Sequence, residues 1–201
     1  MLRRPFVAIS FVVFFGWSFS SWYADRPVHP RDGVLAAADP EQTNYGASAP
    51  VAMGRWMLTP RAHYDVTARV LSRERYYIDA LSDLIPEDLA LGWGAMSDNS
   101  VLRTIEISQS GRFYFWRTQA DTPIPIALII DHSANTHVIP ADSVVRRQLL
   151  GLRPGQLVSL SGDLVDAARD DGRWIKTSMV RTDTGPGACE VLLVRNVAVL
   201  Q

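Results

Sequence analysis

Apolar positions recur every second residue over much of this chain. From His63, apolar Tyr64, Val66, Ala68 and Val70 alternate with polar Asp65, Thr67 and Arg69. That period of two is the signature of a half-buried strand. Val101–Ser108 and Arg112–Arg117 read as two strands of a hairpin turning at Gln109-Ser110-Gly111. Ile124–Ile130 is an almost unbroken apolar run and predicts a central strand buried on both faces. Gln156–Val165, Trp174–Met179 and Cys189–Leu200 complete the strands. Helical signals are few. Pro86-Glu87-Asp88 predicts a short helical turn ending near Gly92 or Gly94. Pro140-Ala141-Asp142-Ser143 predicts a capped helix over 142–152, with Val144, Val145, Leu149 and Leu152 as its apolar face.

The N-terminal pattern differs. Arg3 and Arg4 precede a charge-free, phenylalanine-rich run from Pro5 to Ala24. About 20 such residues in a helix match the roughly 30 Å bilayer core. The arginines are expected on the cytoplasmic side, with Trp17, Trp22 and Tyr23 at the outer interface. A cleaved signal peptide is the competing reading, since Ser18 and Ser20 form a small-x-small pair. Either way the remainder is expected outside the cytoplasm, in the periplasm of a bacterium and tethered to its inner membrane. Residues 25–60 hold Pro27, Pro30, Pro40, Pro50 and Pro60 with interspersed glycines and read as a linker. The expected division is 1–24 anchor, 25–60 linker, and 61–201 as one mostly β domain with one or two short helices.

Arg153-Pro154-Gly155-Gln156-Leu157-Val158-Ser159-Leu160-Ser161-Gly162-Asp163-Leu164-Val165 resembles a strand of OB-type proteins, in which a mid-strand glycine lets the strand coil around a barrel corner. The resemblance implies a small OB-like β-barrel. From about Tyr64 to Val194 the chain also resembles a group of uncharacterised bacterial membrane-anchored proteins. The segments Asp88–Asp98, His132–Ala141 and Arg181–Glu190 carry that likeness. It implies the architecture and no activity.

Net charge is −1, so no global field recruits nucleic acid, and none is expected as partner. The interleaved Arg112, Tyr114, Trp116 and Arg117 would suit a single strand, but one aromatic face of that hairpin must be core. No phosphate loop, dinucleotide fingerprint or paired-cysteine motif occurs, and no cofactor is expected.

Three stretches bear on function. Asp131-His132-Ser133-Ala134-Asn135-Thr136-His137 reads as a polar loop between strand and helix, with Ser133 and Asn135 free to bond its own backbone. Its two histidines, His132 and His137, lack the spacing of a zinc helix, so a metal is not expected unless the loop converges them. Asp183-Thr184-Gly185-Pro186-Gly187 leads to Cys189, the only cysteine. A buried thiol is the expected state, with Cys189 sharing a face with Val191 and Leu193 and Glu190 pointing the other way. Trp93 between glycines reads as a core plug or a stacking platform, with Asp98 nearby.

These features lead to a non-enzymatic, membrane-tethered periplasmic binding or assembly module with a protein or envelope partner. Its binding candidates are Trp93, Asp98, His132, Ser133, Asn135, His137 and Asp183. The alternative is a cysteine- or metal-dependent hydrolase built from Cys189, His132, His137 and Asp183. The two divide on whether Cys189 and either histidine share an open cleft.

Overall fold

A computed structural model of the chain describes residues 26–118 and 122–201. The expected anchor, 1–24, lies outside the described residues. Among these, no helix is long and apolar enough to cross a membrane.

The described chain is mostly β, with three short α-helices. Its frame is a ring of five hydrogen-bonded strands. β3 (Trp56–Arg75) pairs antiparallel with β4 (Glu87–Gly92), and β4 with β7 (Ser133–Pro140). β7 then pairs parallel with β10 (Glu190–Val199), which pairs antiparallel with β8 (Leu157–Arg169). β8 returns to β3 over a register from Trp56↔Arg169 to Arg69↔Leu157 and closes the ring. β1 (Glu41–Asn44), β2 (Val51–Met53) and β9 (Trp174–Ile175) lie on its edges. β5 (Ile105–Ser110) and β6 (Phe113–Thr118) form a separate hairpin.

Alternation decides what each strand buries. Tyr64, Val66, Ala68, Leu89, Leu91, Val138, Leu160, Leu164, Leu192 and Val194 point into the ring. Trp56, Leu58, Ile85, Ile139, Val165, Val191 and Leu193 form a second cluster on its outer side. β3 contributes to both because its register with β8 shifts between Pro60 and Ala62, where a bulge changes the face presented to the partner. Gly162 is where the close approach requires glycine: a Cβ there would sit 2.0 Å from the Leu193 carbonyl oxygen on β10.

Several elements match their sequence signals. The alternating run at Tyr64 belongs to β3, and the hairpin forms over 105–118, its first strand starting at Ile105 because Val101 and Leu102 belong to the helix Asn99–Leu102. The helix Ser143–Leu150 starts on Asp142, whose side chain accepts from the Val144 and Val145 amides.

Other elements differ. Glu87–Gly92 is strand β4 rather than a helical turn, because each residue is buried and Leu89 and Leu91 fill the ring interior. Ile126–Asp131 is a helix rather than a central strand; Pro125 stands at its N-terminus and only Ile129 is fully buried. The polar stretch behind it is not a loop. Ser133 to Pro140 is the central strand β7, and its polar side chains are buried. Nor is 26–60 an extended tether. The Val28 amide donates to the Pro154 carbonyl at 2.7 Å, Ala36 is buried in the core, and Glu41–Asn44 and Val51–Met53 are strands paired to β3.

Candidate functional site

The outer face of β4, β7 and β10 brings together side chains far apart in sequence. Asp88 on β4 is the cross-strand partner of His137 on β7, and His137 pairs with Val191 on β10. Successive side chains along a strand take opposite faces. Cys189 therefore shares the face of Val191 and Leu193, while Glu190 turns to the ring interior with Leu192 and Val194. The expected alternation holds, but the buried member is Glu190, at 2% exposure. Cys189 is half-buried.

His137 Nδ1 lies 2.8 Å from Asp88 Oδ1, and both side chains are buried. The contact is short but off the axis of the ring N–H, so Nδ1 has no aligned hydrogen bond in this state. Burial opposes a charged imidazole, but the contacts with Asp88 and Cys189 outweigh it and push His137 up to about 9. Arg112 braces the carboxylate: its Nη1 lies 3.2 Å from the same Oδ1. It also donates to Asp79 and to the Ile85 carbonyl and stacks 3.9 Å over the Tyr76 ring. Arg112 stands in the β5–β6 turn with φ +69°, an uncommon conformation for a residue other than glycine.

Asn135, two residues before His137 on the same face, donates from Nδ2 to Cys189 Sγ at 3.5 Å and to the Arg112 carbonyl at 3.1 Å. Its Oδ1 accepts from Gln109 Nε2 at 2.8 Å, which fixes the amide against the hairpin. The Cys189 carbonyl accepts from the Ser178 amide at 3.0 Å.

Two cavities meet here. One, about 290 Å³, is lined by Tyr114, Phe115 and Trp116 of the hairpin with Asn135, Asp183 and Cys189. The other, about 210 Å³, is lined by Arg112, His137, Lys176 and Cys189. Cys189 and His137 thus share an open cleft, the condition that separates the hydrolase from the binding module. The expectation of a wholly buried thiol is corrected: the face it occupies lies outside the ring, and the hairpin covers it only in part.

The remaining candidates scatter. The His132 ring packs against Gly94, and its Nδ1 is 3.3 Å from the Ala95 amide, away from Cys189. His132 and His137 therefore do not converge, and among the described residues no group of three ligating side chains could hold a metal. Ser133 donates to the Ile129 carbonyl and lines the larger cavity. Asp183 accepts from Ser178 Oγ at 2.7 Å and stands at the mouth of that cavity; it does not orient the histidine. Trp93 is buried at 1% exposure in the ring core. Asp98 caps the helix Asn99–Leu102 and accepts from the Gly33 amide.

The sequence reading missed Asp88 and Arg112. Asp88 follows Pro86-Glu87, which resembles the first turn of a helix, and that hid it. As a sheet arrangement the constellation holds a thiol, an imidazole and a buried carboxylate in series, with an amide donor beside the sulfur. Comparisons with protein-family models, curated proteins and solved structures give no match.

Proposed function

We propose that this domain is a cysteine-dependent hydrolase that works by acyl transfer. The observation that carries the reading is the half-exposed Cys189 in a cleft shared with His137, whose far side rests on the buried Asp88. Each partner answers a chemical need. A thiol attacks as its thiolate, so an adjacent base must take the proton. His137 is the group that takes that proton and, raised to about 9, keeps it until the leaving group departs. Asp88 orients the ring and stabilises the imidazolium that forms. The thiolate adds to the acyl carbon, forming a C–S bond and placing charge on the carbonyl oxygen. Asn135 Nδ2, now directed at the sulfur, is the donor placed to receive that charge. The carbon–leaving-group bond then breaks, and the leaving group takes the proton from His137. Water, deprotonated by His137, cleaves the thioester and regenerates the thiol.

The scaffold in this proposal is an OB-like barrel. The ring order, the parallel pairing of β7 with β10 and the helix Ser143–Leu150 between β7 and β8 support it. Its proposed placement is the periplasmic side of a bacterial inner membrane, supported by Arg3, Arg4 and the charge-free run to Ala24.

The test is alkylation of the native full chain by iodoacetamide, followed by mass spectrometry. Modification at Cys189 is expected, slowed at least about tenfold in His137→Ala and unaffected in His132→Ala. A native thiol that labels only on unfolding, or at a rate indifferent to His137, overturns the hydrolase and leaves a binding module.

A further inference from the structure

Cys189 and Phe113 line both cavities and form the wall between them. The other groups divide. Asn135 lines only the larger cavity, with the rings of Tyr114, Phe115 and Trp116, with Ile130, and with the opposed charges of Arg181 and Asp183. His137 lines only the smaller, with Arg112 and Lys176. A nucleophile on a partition gives its substrate a direction. The acyl oxygen must reach the amide donor, and the departing atom must reach the acid that protonates it. The acyl group therefore belongs in the aromatic cavity and the leaving group in the cavity of His137. Among the described residues, no carboxylate lines that second cavity, whereas the basic side chains Arg112 and Lys176 do. Arg112 is already committed to Asp79 and Asp88. The remaining cation is Lys176, on the exposed edge beside Trp174, with its ammonium 5.7 Å from that ring.

Resting on the hydrolase reading, we infer that the substrate is an ester or amide with an apolar, aromatic-sized acyl group and a leaving group that carries an anion, which Lys176 receives. In the reaction the C–S bond forms as the C–O or C–N bond breaks. The leaving oxygen or nitrogen takes the His137 proton, and water later releases the free acid.

Two phenylpropanoyl esters test this on the full chain, one of 4-hydroxybenzoate and one of its neutral N-methylamide. The readouts are kcat/KM for phenol release and acyl-Cys189 by mass spectrometry. The carboxylate-bearing ester is expected to be preferred about fivefold, the scale of one partly screened ion pair. Lys176→Ala is expected to collapse that ratio towards unity, and Lys176→Arg to retain it. Equal rates for the two esters, or a preference that survives Lys176→Ala, overturn the subsite assignment while an acyl-Cys189 adduct leaves the hydrolase standing. Phenol release that is the same in Cys189→Ala, with no adduct, overturns the hydrolase itself.

Discussion

His137 on β7 faces Asp88 on β4 as a direct cross-strand pair, with Nδ1 and Oδ1 2.8 Å apart. That register selects which histidine and which carboxylate the thiol meets. If Asp88 holds the imidazole in its charged form, Asp88→Asn removes the charge and keeps the shape. The His137 pKa is then expected to fall from about 9 by more than one unit. An NMR titration of the ring protons measures it; an unchanged midpoint would mean that Asp88 does not govern the ring.

Three buried groups give stability an unusual pH dependence. Burial raises Glu87 to about 7 despite Arg73 and Arg75 beside it, and raises Glu190 to about 8. His137 is raised to about 9. In each case the folded chain binds its proton more tightly than the unfolded chain, so stability falls as pH rises through the interval between the two values. The glutamates act from about pH 4.5 up to 7 and 8, and His137 from about 6.5 up to 9. Thermal unfolding should therefore give a higher Tm at pH 5 than at pH 9. Glu190→Gln should flatten the part of the profile below pH 8.

Arg112 sits in a left-handed turn conformation and compensates a fully buried carboxylate. Arg112→Gly removes the backbone strain but leaves Asp88 without that partner. The loss should dominate, at about 3 kcal/mol, since breaking a buried ion pair leaves a charge uncompensated. Urea denaturation at pH 7 measures it. A neutral or stabilising result would mean that the turn strain exceeds the ion pair.

Gly162 tests the ring from the opposite side. An alanine Cβ would meet the Leu193 carbonyl at 2.0 Å, and that atom is backbone. Gly162→Ala should destabilise by about 3 kcal/mol or prevent folding, as forced overpacking does. Gly172→Ala is its comparison: its Cβ would meet nothing within 4 Å, so that variant bears only the cost of φ +85°.

The β class, the 105–118 hairpin, the capped helix and the alternation around Cys189 were legible in the sequence because each depends on local periodicity or one cap. The site was half legible. Cys189, His137, Asn135 and Asp183 stood out by residue type, and all four line the two cavities. Their partners did not, because strand register is a tertiary property. His132 and His137 look equivalent along the chain, yet only His137 stands opposite Asp88. The apolar run 124–130 and the polar run 131–137 exchange the places that their hydrophobicity predicts. Hydrophobicity alone places an apolar run in the sheet, whereas here the apolar run is a helix and the strand Ser133–Pro140 buries the polar Ser133, Asn135, Thr136 and His137.

β10 is the last strand, and it lies between β7 and β8. Until it inserts, those two strands have open edges and the thiol is not beside His137 or Asn135. On the hydrolase reading, chemical competence is therefore coupled to the seating of β10 between β7 and β8. A chain in which β10 is not seated keeps the imidazole and its carboxylate but leaves Cys189 unplaced beside them, so on the hydrolase reading the chemistry waits for that strand.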